Sequence, residues 1–366
     1  MATRPVTVRI LHPDPGPAAD PIERWVWGAR AAIAERHRRR FVAAGADDVA
    51  ILAGPPDDTP FGARLREIVR ADRPAGLVVL GSGAIPLATE RDYRDLVAAA
   101  GAEGREALAN NRFSADVVAI ACAGSLAEVP DLPADNALPR WLGEVAGYHV
   151  RDLSRRWRLA FDVDGPLELA VLGHPGTPVG VDIGPLRARM AATQSVAADR
   201  RAELIVTGRV SVRTLAWLER GVAARVRAIV EERGLRAASL LALEPPPDTR
   251  TIPVRPPASL LGAFLERDGP SALGHVLASL GDAAIVDTRV LLAHRLGSAE
   301  ARWPLPADRF ASDLLLTGRI RDSWLRELTT AAASAPIPIL LGGHSLVGPG
   351  TRVLLGRGQG RGLQWR

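Results

Sequence analysis

The sequence predicts an α/β protein in two parts: a three-layer domain on a mostly parallel sheet, followed by a second α/β domain. Three observations carry this. Short apolar runs alternate with helix-patterned segments through the first half, the same alternation resumes after residue 185, and a Gly- and Pro-rich stretch separates the two. The expected domains span residues 1–175 and 185–355, with a basic tail at 356–366.

In the first half, "VTVRIL" (Val6–Leu11) reads as a strand and Glu23–Gly45 as a long helix stopped by Gly. "DVAILAG" (Asp48–Gly54) and "GLVVLGSG" (Gly76–Gly83) are apolar runs ending in Gly, as buried parallel strands do. "TERDYRDLVAAAG" opens a helix with Thr89 and Asp92 in the spacing of a capping box. "ADVVAIACAG" adds a strand, and "WRLAFDVDGPLELAVLG" a strand that turns into a helix. "GHPGTPVGVDIGP" (Gly173–Pro185) is the linker.

In the second half, strands are expected at Glu203–Val206, Ser239–Leu243, Ala283–Val286, Asp313–Leu316 and Ile337–Leu341. Helices are expected at Thr214–Gly234 and Asp322–Ala335, with a Pro-rich connection at Glu244–Ser259.

Composition narrows the chemistry. The chain has 366 residues, 47% hydrophobic and 24% charged, which reads as globular. No apolar run reaches the roughly eighteen residues of a membrane span, and no signal-peptide core is seen, so a cytoplasmic address is expected. The single cysteine, Cys122, rules out an internal disulfide and a Cys-rich zinc site. All 46 basic residues are Arg. Lys-based phosphate loops and Schiff bases are therefore excluded, and phosphate recognition falls to Arg, backbone N–H groups or a metal. A net charge of +5 with 4% aromatic residues argues against nucleic acid as a partner. Self-association is left open.

Two sets of residues carry candidate chemistry. In "FDVDG", a strand would place Asp162 and Asp164 on one face. Such a pair suits Mg²⁺, which takes oxygen ligands and bridges to phosphates. The alternative is a helix-capping carboxylate beside a solvated one. "GSGAIP" offers Gly81, Ser82 and Gly83 before a helix, where backbone N–H groups approach a phosphate. Asn110 and Asn111 either read a base or sugar edge or simply make a turn.

The second set is a repeat, since Thr207-Gly208-Arg209, Asp287-Thr288-Arg289 and Thr317-Gly318-Arg319 each follow an apolar run. Gly342, Gly343, His344 and Ser345 follow a fourth. Ligands collect beyond the carboxyl ends of strands in open α/β sheets. Four parallel strands would thus gather Thr207, Arg209, Asp287, Arg289, Thr317, Arg319, His344 and Ser345 into one oxyanion or phosphate pocket, with Asp287 and His344 either an acid–base pair or simply orienting the Arg side chains. The competing account is a Rossmann-like unit that repeats a Gly turn for structural reasons.

Across residues 25–172, "RHRRRFVAAGADDVAILAG", "GLVVLGSGAIPLATERDYRDLV", "NNRFSADVVAI" and "RLAFDVDGPLELAVL" follow one another in an order that resembles nucleotidyltransferases of the GT-A type. The likeness is to the small guanylyltransferases of molybdenum-cofactor and deazaflavin-cofactor synthesis. The resemblance implies a nucleotide-diphospho-sugar-transferase-like fold, a nucleotide or phosphorylated metabolite as ligand, and Mg²⁺ on Asp162 and Asp164. In the family's Asp-x-Asp-Thr-Pro-x-Asp-Leu motif, Asp162, Asp164, Pro166 and Leu169 match, while Glu168 replaces an Asp. The chain departs from the family at two places. "HPDPGP" stands where a Gly-rich loop ending in Arg and Lys belongs, and "GSGAIPL" lacks the metal-binding Asp of the middle strand. Two functions follow: a nucleotidyltransferase-type enzyme, or a degenerate non-catalytic scaffold or regulator that binds a nucleotide or anion.

Overall fold

The computed structural model describes residues 4–14, 16, 19–232 and 256–356. It is an α/β protein of two compact units. The first takes in Trp27–Asp162 and the described residues before Ala19; the second takes in Ala19–Val26 and the described residues from Val163 onward. The division thus falls between Asp162 and Val163, upstream of the Gly- and Pro-rich stretch.

The first unit is built on a six-stranded mixed sheet. Its strands are β1 (Val6–Pro13), β2 (Asp48–Gly54), β3 (Gly76–Gly81), β4 (Glu106–Ala109), β5 (Val117–Ala121) and β6 (His149–Asp152), in the order β2-β1-β3-β5-β4-β6. β1 pairs in parallel with β2 and β3, and β4 with β6, whereas β5 runs antiparallel to both its neighbours.

Alternation along each strand sends side chains to both faces. Val78 and Leu80 join Val8, Ile10, Phe41 and Tyr93 on one side, and Leu77 and Val79 join Leu65, Ile68 and Trp141 on the other. Helices Pro21–Ala43 and Glu90–Ala100 supply the first core; Phe61–Asp72 and Leu138–Glu144 supply the second. Arg9 is the exception on β1, buried with its guanidinium on Asp48 and Asp72 at 2.6 and 2.7 Å. The capping box is present: the Asp92 carboxylate accepts from the Thr89 N–H and hydroxyl, and also pairs with Arg156 and Arg158.

The second unit has a parallel four-stranded sheet of β7 (Glu203–Gly208), β8 (Arg225–Val230), β9 (Ala283–Asp287) and β10 (Ile339–Gly342), in the order β10-β9-β7-β8. Two expectations are corrected here. The helix over Thr214–Gly234 stops at Gly221, and the chain turns into β8, an edge strand whose Arg225 and Arg227 face outward. Asp313–Leu316 is not a strand: Asp313 closes the helix Pro306–Asp313, and Leu315 turns the chain with φ 60°. The strand expected at Ser239–Leu243, most of the Pro-rich connection and the basic tail from 357 lie outside the described residues. Among the described residues no helix is long and apolar enough to cross a membrane.

Candidate functional sites

In the first unit, β1 leads to β2 on one side while β3 leads away on the other, so the strand order reverses between β1 and β3. The crevice beyond the carboxyl ends of two such strands is where open α/β sheets take ligands. The register pairs Leu11 with Gly81, which brings His12, near the end of β1, beside Ser82, just past the end of β3. His12 Nδ1 lies 3.0 Å from Ser82 Oγ. Burial and the Arg30 charge push the His12 ring below its ordinary pKa, against the opposing pull of Asp14, so the imidazole is neutral at pH 7.

The loop after β3 is held from several directions. The Ser82 N–H donates to Leu11 O at 2.8 Å, and the Ala84 N–H to Gly81 O at 3.1 Å. Asp162 forms an isolated antiparallel bridge with Ala84. His37 is fully buried, and its Nε2–H donates to Ala84 O while its Nδ1 accepts from the Tyr93 hydroxyl, both at 2.8 Å. Burial drives His37 down to about 4, which fixes this neutral tautomer. Arg36, in the segment "RHRRR", donates to Pro86 O. Between these contacts Ile85 sits at φ 42°, a left-handed conformation rare for a β-branched residue. Such outliers persist only where their surroundings over-determine them, and they cluster at ligand sites.

The structure places the other sequence-predicted residues of this half as follows. Asp162 and Asp164 do not sit together on a strand: Asp162 is half-buried at its bridge, and Asp164 is exposed in the second unit. The Gly81–Gly83 loop supplies fewer backbone donors than expected, because the Ser82 and Ala84 N–H groups are used internally. Asn110 is buried in the β4–β5 turn. Its amide donates to Asp116 and Leu159 O and accepts from the Asp116 and Val117 N–H groups. Asn111 accepts from the Phe113 N–H, as an Asx turn does. The turn accounts for both Asn residues.

In the second unit the parallel register aligns Gly342 with Asp287 and Thr207 with Val286. The ends of β7, β9 and β10 therefore bring Thr207, Arg209, Asp287, Arg289, His344 and Ser345 to one edge. Arg209 grips Asp287 through Nε and Nη2 at 2.6 and 3.0 Å. Gly208 makes the grip possible, since at φ 119° a Cβ there would lie 2.2 Å from the Cβ of Asp287. Gly208→Ala should therefore destabilise the chain by at least about 2 kcal/mol in a urea titration, because strain adds to the clash. An unchanged midpoint would contradict that geometry.

Arg289 grips Asp313 through both terminal nitrogens, at 2.5 and 2.6 Å, and also donates to Thr288 Oγ1. Asp164 and His344 form the outer part of the cluster, Nδ1 to Oδ2 at 3.6 Å. Glu168 lies beneath, 2% exposed, and burial together with the neighbouring Asp313 and Asp164 raises its carboxyl to about 8. At neutral pH it is a neutral acid.

The expected oxyanion pocket is corrected by this arrangement. The guanidiniums of Arg209 and Arg289 are each neutralised by their own carboxylate, and Asp164 adds further negative charge, so these two Arg residues carry no surplus positive charge for an anion. The third triplet is also displaced: Thr317-Gly318-Arg319 forms a short 3₁₀ turn after no strand, and Arg319 approaches Asp20 at 3.5 Å. Sequence reasoning missed His12, Arg30, Glu168 and Asp313 as members of these clusters. The signal for His12 was present, because it lies near the end of β1, at the strand end where ligands collect. No protein-family model and no curated protein sequence matches the chain.

Proposed function

We propose that the chain is a nucleotidyltransferase-like protein whose first unit takes a nucleotide or phosphorylated metabolite at the strand-order reversal between β1 and β3. The observation that carries this reading is the strained, multiply anchored loop Gly81–Pro86 beside His12 at that crevice. The GT-A-type resemblance of residues 25–172 points to the same class of ligand. Asp162 offers one hard oxygen donor next to the loop. That suits Mg²⁺, which takes one or two carboxylates and completes its shell with water and substrate phosphates.

A non-catalytic nucleotide- or anion-binding scaffold is the second reading. It is favoured by the internal use of the loop's N–H groups and by the absence of a carboxylate from "GSGAIPL".

Thermal unfolding with a panel of nucleoside triphosphates and nucleotide-sugars, with and without Mg²⁺, tests both readings. A ligand at a hundredfold excess over its Kd stabilises the fold by about 3 kcal/mol. A Mg²⁺-dependent shift with one nucleotide, lost in Asp162→Asn, is the result expected for the enzyme. A shift that ignores Mg²⁺ and survives Asp162→Asn would establish the scaffold instead. Silence across the panel would remove the enzyme and any nucleotide-binding scaffold.

A further inference from the structure

Many Arg residues of the first unit are committed to carboxylates: Arg9 to Asp48 and Asp72, Arg38 to Glu35, Arg40 to Glu90, and Arg156 and Arg158 to Asp92. Arg30, like Arg36 and Arg112, pairs with no described carboxylate, and of these it is the one whose charge acts on His12. It lies three residues after Trp27 on helix Pro21–Ala43, on the same face, and its guanidinium carbon sits 4.5 Å from the centre of the Trp27 ring. Its Nε is buried without a hydrogen-bond partner, and it makes no ion pair with any described carboxylate. A desolvated, unpaired guanidinium nitrogen is expensive, and proteins retain such groups where something else completes them.

The neighbours of Arg30 say what that is. His12 meets the edge of Trp27 at 6.4 Å between ring centres, and burial, with the Arg30 charge added to it, holds the ring below its ordinary pKa. Open space lies at the end of β3, where a Cβ added to Gly81 would meet no atom within 4 Å. One fixed cation, one imidazole able to take a proton, and a gap beside them form a receptor for a group of concentrated negative charge. Arg stacked on an aromatic ring keeps its planar fork oriented, which suits bidentate binding of phosphate.

We propose that Arg30, held over Trp27 beside His12, is the phosphate-binding cation of the β1/β3 crevice, doing with a helix-borne guanidinium what the internally bonded loop N–H groups do not do. This rests on the reading of that crevice as the ligand site. A bound phosphate supplies the acceptor that Arg30 Nε lacks. It also reverses the electrostatics at His12, so that binding draws a proton onto the imidazole.

The test is calorimetric titration of the native chain with pyrophosphate, inorganic phosphate and the nucleotide panel, repeated with Arg30→Met, which keeps the stem over Trp27. Nitrogen-detected NMR of the His12 ring in the native chain serves as a readout that needs no variant. Pyrophosphate binding weakened at least tenfold in Arg30→Met, with the His12 titration moving upward when ligand is added, is the expected result. Tighter binding of a nucleotide than of pyrophosphate, also lost in Arg30→Met, would assign the phosphate to a nucleotide. Equal nucleotide binding by native and Arg30→Met chains, or a His12 titration indifferent to ligand, would overturn the Arg30 subsite while leaving the crevice as a ligand site. If pyrophosphate, phosphate and all nucleotides fail to bind the native chain, both the subsite and the crevice reading fall.

Discussion

Arg289→Met should destabilise the second unit by about 3–5 kcal/mol at pH 7, the range for breaking a buried ion pair from one side. The guanidinium is 9% exposed and Asp313 is 1% exposed, and the two are joined by paired hydrogen bonds. Burial works against the Arg289 charge, but the Asp313 carboxylate, with Asp287 behind it, holds it above its ordinary range, so the charged form persists. Removing it leaves the buried Asp313 carboxylate beside Glu168 without its hydrogen-bonded partner, with only the more distant charge of Arg309 to offset it. The double variant Arg289→Met/Asp313→Leu should regain most of the loss, because the desolvated charge leaves with its partner. Urea unfolding read by hydrogen exchange in β9 and β10 measures both. The single variant should also recover as the pH is lowered, when Asp313 can take a proton. A double variant no more stable than the single would show that shape, not charge, maintains this part of the core.

Most strands were legible in the sequence because buried parallel strands have two covered faces and read as continuous apolar runs, as in "LVVLG" and "AAIVD". The strands that were missed lack that property. β8 alternates Arg with Val, Ala and Ile because one face is open, and it follows a helix without a Gly or Pro break stronger than Gly221. β4 and β6 have only four residues each, too few for a period to register. "DLLL" at Asp313–Leu316 failed in the opposite direction: an apolar run of four fits the end of a helix and a buried turn as well as a strand.

The repeated triplets located the carboxyl edge of the second sheet at Arg209 and Arg289, but not its electrostatics. Arg289 is neutralised by an Asp 24 positions away on another helix, a pairing that no local spacing encodes. His12, Ser82 and Arg30 are brought together by the register of β1 on β3 and by one helical turn. The first of these is a tertiary fact that single residues do not announce.

Glu168→Gln should flatten the pH dependence of the second unit and stabilise it above pH 8. In the fold the carboxyl is raised to about 8 by burial and by Asp313 and Asp164, whereas in the unfolded chain it titrates near its ordinary 4.5. Between those values the unfolded state holds fewer protons than the folded state, so stability falls as pH rises. The favourable contribution is complete below about 4.5 and lost through 8, a swing on the order of 5 kcal/mol at 1.4 kcal/mol per pH unit. Glutamine has the shape of the neutral acid and cannot ionise, so the variant keeps the packing without the slope. A Glu168→Gln chain with the native slope would mean that Glu168 is ionised in the fold and that Arg289 serves two carboxylates. The first unit should behave in the reverse sense. His37 is depressed to about 4, so below about 6.5 the unfolded chain gains a proton that the buried ring refuses, and stability falls as pH falls. Between pH 4.5 and 6.5 Glu168 and His37 thus contribute slopes of opposite sign to their two units, which a single global melting curve would average away. Hydrogen exchange resolved onto β3 and β9 separates them, and only the β9 slope should respond to Glu168→Gln.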